Sequence, residues 1–257
     1  NQWSPRYLRE LTMTNTKART STKARKWLPE RWYVHVLLCI SVLIIGFPLI
    51  YAIIVSTQSN AETLSFQMTF GSRFLHNLEA VVVDRRILSF MWNSTVLAVF
   101  VTIGKTILSL LAGLAFVYFR FPGKWLVFGF VLLTLMMPTE MLIIALFRLV
   151  SNIGWGDTFW AISIPFLASA TGAFLFRQHF ANLPAELAEA AQLEGASPLQ
   201  FLFQILVPLS WNVIGALTVI QFVYMWNQYL WPLLIVKDAR IQVVQVGLAS
   251  LQNFEGA

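Results

Sequence analysis

Long apolar stretches alternate along this chain with short polar ones. A stretch of about 20 apolar residues is long enough to cross the hydrocarbon core of a bilayer. Five such stretches are present, at residues 33–55, 90–119, 125–147, 158–176 and 206–236. A further apolar stretch, residues 241–251, is too short to cross. The pattern predicts an all-α, polytopic transmembrane helical bundle with five visible spans.

The composition points the same way. Hydrophobic residues make up 57% of the 257 residues and charged residues 12%. Because a water-soluble domain carries about 25% charged residues, the composition indicates a membrane protein. The single cysteine, Cys39, allows no disulfide framework, and the three histidines, His35, His76 and His179, are widely separated. The sequence therefore predicts no metal site.

Positive charge is concentrated in residues 1–31, which hold eight Lys or Arg residues against two Glu residues. Such a tail could bind nucleic acid, but beside a membrane span the positive-inside rule favours a topology signal. We therefore expect a basic cytoplasmic tail at residues 1–31 and a transmembrane domain at residues 32–257. Counting spans from a cytoplasmic N-terminus places residues 56–88 outside and residues 177–206 in the cytoplasm.

Two ionisable residues, Lys105 and Glu140, lie inside predicted spans. Each costs about 2.5–3.5 kcal/mol at the centre of a membrane helix. A tight turn joins the second and third spans, so at 1.5 Å per residue both lie about 21–23 Å from the cytoplasmic edge. Equal depth on neighbouring helices predicts an ion pair that locks this hairpin. The alternative hypothesis is that Lys105 faces a pathway and meets an anionic solute.

Two further features of the predicted spans are compatible with passage of a solute. Pro138 interrupts the third span just before Glu140, and either a water-filled pathway or ordinary helix packing tolerates such a break. In the fifth span, Trp226, Asn227 and Gln228 combine an aromatic face with two amides, which suits sugar or polyol recognition. The alternative for these three residues is an interfacial aromatic belt at the end of the helix.

The polar segment between the fourth and fifth spans, residues 177–206, carries strong local signals. Pro184 is typical of a helix start, because its missing N–H costs nothing there. Alanine-rich sequence follows, and Gly195 is typical of a helix stop. Ser197-Pro198 then predicts the start of a second helix. The segment is expected to form a short helix–turn–helix that enters a cleft on a partner.

Residues 189–208 read EAAQLEGASPLQFLFQILVP. This spacing resembles the EAA loop of ABC importer permeases, E-A-A-x3-G-x9-I-x-L-P, with Val207 in place of the leucine and Glu194 in place of a common aspartate. The resemblance implies an ATPase-coupling surface formed by Glu189, Ala190, Ala191, Gly195, Ala196 and Pro208. In it Glu189 pairs with a groove on the ATPase, the alanines permit close approach and Gly195 sets the turn. Arg177 is expected to brace the loop.

The resemblance implies the fold and partners of a type I ABC importer permease in the bacterial cytoplasmic (inner) membrane. That fold leads us to expect six spans, so a final helix is expected to be missing from the C-terminus of this sequence. The implied partners are a second permease subunit, an ATPase dimer, an extracytoplasmic solute-binding protein and membrane lipid, with no nucleic acid. No GxxxxGK[ST] motif is present, so this chain is expected to bind no cofactor, with ATP and Mg on the partner ATPase.

A second resemblance indicates a particular group within the ABC importer permeases. WNQYLWPL, at residues 226–233, is similar to the W-N-x-[FY]-L-W-P-L signature of the carbohydrate (maltose-like) importer permeases. Segments such as FRFPGK, TLMMPTEM and LPAELAEAA are similar to the permeases of sn-glycerol-3-phosphate importers. This implies transport of sn-glycerol 3-phosphate or a glycerophosphodiester, with a sugar or oligosaccharide as the alternative. A secondary transporter or channel would not need the cytoplasmic helix–turn–helix, and a membrane enzyme would need a catalytic cluster that the sequence lacks.

Overall fold

The computed structural model describes residues 32–254, without the side chains of residues 84, 139–140 and 252–254. The predicted basic tail, residues 1–31, lies outside the described residues. All regular structure between residues 32 and 254 is helical. The chain divides into two compact units, Asn1–Asn77 and Leu78–Ala257.

In the first unit, helix α1 (Trp32–Ser56) is 25 residues long and apolar enough to cross a membrane, which confirms the predicted span at residues 33–55. The short helix α2 (Asn60–Leu64) follows and begins with a capping box between Ser59 and Glu62. The backbone N–H of Ser59 donates to the Glu62 carboxylate, which holds the pKa of that carboxyl below its ordinary value. Helix α3 (Phe74–Glu79) begins in this unit and ends two residues past its last residue, Asn77.

The second unit is built around one long helix. After a π-helical turn (Ala80–Asp84), helix α4 (Ile87–Tyr118) runs for 32 residues, or about 48 Å at 1.5 Å per residue. It confirms the span predicted at residues 90–119. The ammonium group of Lys124 donates to the carbonyl of Phe119 at 3.0 Å and so caps the end of this helix.

The third predicted span, residues 125–147, is not continuous. The structure has helix α5 (Lys124–Leu135) and then helix α6 (Thr139–Asn152), with Pro138 as the N-cap of α6. Proline has no N–H to continue a helix and disfavours helical backbone in the residue before it. The predicted interruption at Pro138 is therefore confirmed, and Glu140 lies in the first turn of the second helix.

The fourth predicted span is present with a different end. Helix α7 (Phe159–Ser163) passes through a 3₁₀ turn (Ile164–Phe166) into helix α8 (Ala170–Ala181). Together, from Phe159 to Ala181, they are long and apolar enough to cross a membrane. The side chain of Thr158 caps the start, accepting the N–H of Ala161.

The segment predicted as a helix–turn–helix forms α9 (Ala185–Leu193) and α10 (Pro198–Leu209), of which Leu202–Leu206 is π-helical. Residues 185–209 are called the elbow below. Helix α11 (Trp211–Trp226) leaves α10 at an angle of 83°. Helices α12 (Leu230–Ile235) and α13 (Val244–Phe254) complete the described chain.

The fifth predicted span, residues 206–236, is not one continuous helix. It is bent at Ser210 and interrupted at residues 227–229. By length and composition, three helical stretches within residues 32–254 could cross a membrane, or four if the bent pair is one span, against five predicted. Helix α13 has eleven residues, as short as expected for this stretch.

Helix α4 packs against α8 and α11, and glycines allow the close contact with α8. A Cβ atom added at Gly113 would lie 2.7 Å from the Cβ of Phe176, and one at Gly172 would overlap the Ser109 hydroxyl. Two apolar clusters fill the second unit. One includes Leu110, Leu114, Phe176, Phe201 and Leu217 and lies at the elbow end of α4; the other includes Leu97, Val101, Ile162, Met225 and Trp231 and lies at its distal end.

The distal end is held by hydrogen bonds between parts of the chain that are far apart in sequence. The carboxylate of Asp157 accepts the backbone N–H groups of Lys237 and Asp238, both at 2.8 Å. The amide of Asn93 donates to the carbonyls of Arg240 and Gln242. These contacts fix the loop between α12 and α13 against the start of α4 and the loop before α7.

Candidate functional site

The turn of the elbow has a specific geometry that explains the position of Gly195. The N–H of Ala196 donates to the carbonyl of Ala191 at 2.9 Å, and the N–H of Gly195 donates to that of Gln192 at 3.1 Å. These two bonds form a Schellman motif, which needs a left-handed residue just after the helix. Gly195 supplies it with φ +75°. The predicted helix stop at Gly195, and the start at Pro184, are confirmed.

The second helix of the elbow begins as the sequence predicted. Ser197 and Gln200 form a capping box, in which the Ser197 N–H donates to the Gln200 side chain at 2.7 Å. Pro198 occupies the first helical position, where its missing N–H costs nothing. The turn between α9 and α10 is therefore satisfied by local bonds and needs no partner to hold its shape.

The elbow has two different faces. Glu189, Ala190 and Gly195 are exposed, whereas Ala191 is only 4% exposed and Ala196 is half-buried. Ala191 belongs to the apolar cluster of the elbow end, and Ala196 packs against it. These three predicted coupling residues, like the exposed Pro208, are therefore free to meet another protein, while Ala191 packs inside this chain.

Aromatic contacts fasten the buried face of the elbow to the end of α4. The Tyr118 ring meets the Phe201 ring edge-on, with centroids 5.0 Å apart, and its hydroxyl donates to the carbonyl of Phe180 at 3.4 Å. A cleft of about 120 Å³ lies beside these rings. Pro208 is exposed, and two residues later the Ser210 hydroxyl donates to the carbonyl of Leu206 at the 83° bend.

Arg177 makes different contacts from the one predicted. Its guanidinium lies over the rings of Phe128 and Trp125, at 4.9 and 5.6 Å from the ring centroids, and donates to the Gln178 side chain. Phe128 and Trp125 belong to α5. Arg177 thus joins α8 to α5, and bracing of the elbow by Arg177 stays a prediction.

Lys105 lies inside the second unit, in the middle of α4, and is 8% exposed. Its ammonium nitrogen lies 5.1 Å from the centroid of the Tyr224 ring on α11. A desolvated cation–π contact of this kind contributes about 2 kcal/mol. Among the carboxylates whose side chains the structure describes, none forms an ion pair with Lys105. The Glu140 side chain lies outside the described part, so the predicted pair of Lys105 and Glu140 stays a prediction.

Polar side chains that the sequence reasoning missed lie around Lys105. Four of them are buried or half-buried and have side-chain atoms without a hydrogen-bond partner in the described structure: Thr102, Thr106, Ser109 and Gln221. The first three share α4 with Lys105 at helical spacing, and Gln221 lies on α11. Positions 102, 105, 106 and 109 recur at helical spacing, so the sequence pattern could have predicted that these side chains lie along one face of the helix.

The predicted solute-recognition residues of the fifth span lie at the distal end of α11. The Trp226 ring stacks on Phe222 with centroids 5.9 Å apart. The Asn227 amide donates to the carbonyl of Val223 at 2.8 Å and accepts from the Gln245 side chain at 3.1 Å. Gln228 is half-buried. Asn227 is thus engaged within the chain, and sugar recognition by these residues stays a prediction.

The structure combines a bundle of apolar helices, an elbow with an exposed face, and buried polar side chains on the helix of Lys105. This combination is typical of a membrane transport component. Residues 105–253 match the family of binding-protein-dependent transport system inner membrane components, and the chain belongs to that family. It is therefore a permease component of the inner membrane and not an enzyme.

Relatives and a solved structure agree with this family. The sn-glycerol-3-phosphate transport system permease protein UgpE of Rhizobium meliloti is 38% identical, over 87% of this chain and 82% of the relative. UgpE of Pectobacterium atrosepticum is 40% identical, over 85% of this chain and 81% of the relative. A bacterial ABC transporter involved in the import of the acidic polysaccharide alginate has the same fold, with a TM-score of 0.76, 22% identity and coverage of 100% of this chain and 87% of that one. The predicted ABC importer permease fold is confirmed.

Proposed function

We propose that this chain is the permease subunit that carries sn-glycerol 3-phosphate across the membrane in an ATP-driven importer. A second permease subunit would complete the pathway, an ATPase dimer would bind the elbow, and an extracytoplasmic binding protein would deliver the solute. The names of the relatives support the solute. A cytoplasmic N-terminus, as the basic tail predicts, together with one crossing made jointly by α5 and α6, would put the elbow on the same side as the ATPase.

The observation that carries the coupling role is the division of the elbow into two faces. Glu189, Ala190 and Gly195 are exposed on one side, and Ala191 is buried against this chain on the other. An ATPase that grips the exposed face would move the buried face with it. Because Phe201 of the elbow packs on Tyr118 at the end of α4, that motion would reach the membrane helices directly.

ATP and Mg would remain on the partner ATPase, since this sequence has no phosphate-binding loop of the GxxxxGK[ST] kind. The second candidate solute is a sugar or oligosaccharide, favoured by Trp226 and the two amides beside it. A buried amine at Lys105 favours an anionic solute, because a neutral sugar gives it no opposite charge. A glycerophosphodiester shares that anionic chemistry with sn-glycerol 3-phosphate.

The coupling role is tested with Glu189→Lys and Gly195→Asp. A side chain at position 195 meets no atom of this chain within 4 Å, but the left-handed φ of +75° strains any side chain there. Gly195→Asp therefore tests the turn, and Glu189→Lys tests the contact with the partner. We expect near-complete loss of uptake and of co-purification with the ATPase, with the protein still inserted in the membrane. Glu186→Lys, the same charge change one turn earlier on the same exposed helix, is the matched control. Wild-type uptake in both test variants would remove the coupling assignment.

The solute is tested on the assembled importer in proteoliposomes. Radiolabelled sn-glycerol 3-phosphate, a glycerophosphodiester and maltose are offered separately with the cognate binding protein and ATP. We expect ATP-dependent uptake of the phosphorylated solutes and none of maltose. Uptake of maltose alone would replace the proposed solute by a sugar and leave the coupling role untouched.

A further inference from the structure

The contact between α4 and α11 is apolar at both ends and polar in the middle. Leu110 and Leu217 belong to the apolar cluster of the elbow end, and Val101 and Met225 to that of the distal end. Four buried polar side chains of α4 and α11 lie between these levels along the two helices, and Ser109 among them also borders Gly172 of α8: Thr102, Lys105, Ser109 and Gln221. These four residues are called the polar layer below.

The register of the two helices places Gln221 at the level of Lys105. Leu217, Gln221 and Met225 are each buried and are spaced by four residues, so they share one face of α11. Leu217 shares the elbow-end cluster with Leu110, and Met225 shares the distal-end cluster with Val101, so the two helices run in opposite directions. Gln221 therefore lies between these levels, where Lys105 enters from α4.

The polar layer is buried without being satisfied. Thr102, Ser109 and Gln221 are 3%, 2% and 6% exposed, and their hydroxyl and amide atoms have no hydrogen-bond partner in the described structure. A layer that served only to lock two helices would pair these groups with one another, because unpaired polar groups are costly in a membrane. Unpaired donors around a cation instead match a ligand with several negatively charged oxygens.

Tyr224 controls access to the layer. Its ring covers the Lys105 ammonium at 5.1 Å and is itself 42% exposed, whereas Lys105 is 8% exposed. Rotation of this one side chain would open the ammonium to the surface of the bundle. The ring also stabilises the cation while no anion is present.

We propose that the polar layer is an anion subsite that binds the phosphate group of the solute inside the membrane. Lys105 would supply the positive charge, and Thr102 and Gln221 would donate hydrogen bonds to the phosphate oxygens. The identity of the anion rests on the proposed function, since an importer of sn-glycerol 3-phosphate must hold a phosphate group along its path.

The experiment compares Lys105→Met with Lys105→Arg in the assembled importer, with radiolabelled sn-glycerol 3-phosphate as the probe. We expect Lys105→Met to lower kcat/KM for uptake about tenfold or more, because a charge-assisted contact is lost, while insertion and co-purification with the ATPase remain. Lys105→Arg keeps the charge and is expected to recover most of the uptake. Wild-type uptake by Lys105→Met would overturn the proposal.

A second pair of variants separates ligand binding from a structural role. Gln221→Leu and Thr102→Val remove polar atoms but keep a membrane helix stable, so a purely structural layer would tolerate them. The anion subsite instead predicts a KM several-fold higher with insertion unchanged. Thr95→Val, on the same helix outside the layer and with its hydroxyl bonded to the carbonyl of Met91, is the matched control. An unchanged KM in both test variants would contradict the subsite.

Three further results distinguish failure of the anion subsite from failure of the proposed solute. If the double variant Lys105→Met/Glu140→Gln regains the uptake lost in Lys105→Met, Lys105 belongs to an ion pair and the anion subsite is wrong. If the wild-type importer carries only neutral sugars, both the solute and the subsite are wrong while the coupling role stands. Uptake of sn-glycerol 3-phosphate that is insensitive to Lys105→Met overturns the subsite alone.

Discussion

The distal end and the elbow end of the second unit are held together by different kinds of interaction. At the distal end, the indole N–H of Trp231 donates to the carbonyl of Ala161, seventy residues away, at 3.0 Å. The backbone N–H of Val244 donates to the hydroxyl of Ser94, 150 residues away, at 2.8 Å. Both bonds are buried, so each fixes one register between remote parts of the chain.

The elbow end depends on packing instead. Its buried surface consists of aromatic rings and aliphatic side chains, among them Phe176, Phe180, Phe201 and Leu206. In the described part of this end, one side-chain hydrogen bond joins residues that are far apart in sequence, from the Tyr118 hydroxyl to the carbonyl of Phe180. At 3.4 Å this bond is long.

This difference in bonding indicates which end of the second unit is suited to move. A hydrogen bond is directional and weakens steeply when its geometry changes, whereas apolar contact is non-directional and survives a small shift. The elbow end can therefore change its position while it stays packed, whereas the distal end holds α13 in register with α4 and α12 in register with α7. This asymmetry suits a component that receives motion at one end.

The largest expected effect tests the packing of the elbow end. Phe201→Ala removes a ring that is 6% exposed, and such truncations cost about 3–5 kcal/mol. We expect uptake to fall severely while α9 still binds the ATPase, because the elbow would then move without α4. Uptake and co-purification are measured together, with Phe203→Ala as the control because Phe203 is 57% exposed. Equal uptake in the two variants would contradict the fastening role of Phe201.

An intermediate effect is expected at the distal end. Trp231→Phe keeps an aromatic ring but leaves the buried carbonyl of Ala161 without its donor, which costs about 1–3 kcal/mol. We expect a lower melting temperature in detergent with coupling between ATP hydrolysis and uptake largely preserved. Trp211→Phe is the control, because Trp211 is 69% exposed. A loss of coupling with unchanged melting would show that the distal end also moves.

The smallest effect concerns pH. The backbone N–H of Arg240 donates to the Asp238 carboxylate, which lowers the pKa of that carboxyl from its ordinary value of 3.8. A lowered pKa stabilises the fold above the ordinary value and loses that contribution as pH falls through the folded value. The difference in melting temperature between wild type and Asp238→Asn is therefore expected near neutral pH and to shrink below about pH 4. A difference that is independent of pH would exclude this origin.

Local signals in the sequence predicted most of the fold. The lengths of α1 and α4 followed from apolar run length. The elbow followed from Pro184, Gly195 and Ser197, because each of these residues acts on the backbone within one turn. The Schellman turn explains the glycine at position 195, and the burial of Ala191, which is 4% exposed, explains the small side chain four residues earlier.

The remaining features depend on tertiary contacts that hydropathy does not register. The bend at Ser210 lies within apolar sequence, so a search by run length joins the helices on either side. The polar layer needs the register between α4 and α11, which brings Gln221 to the level of Lys105 only after folding. Which face of α9 is buried likewise follows from packing, and the sequence alone treated Ala190 and Ala191 as equivalent.

The bend at Ser210 has a mechanical consequence. Because α10 and α11 meet at 83°, a thrust along the axis of α10 arrives almost entirely sideways on α11. The first turn of α11 would therefore move across the bundle and hardly at all along the axis of α11. A helix moved in this way would tilt, which opens a gap on one of its flanks and closes one on the other.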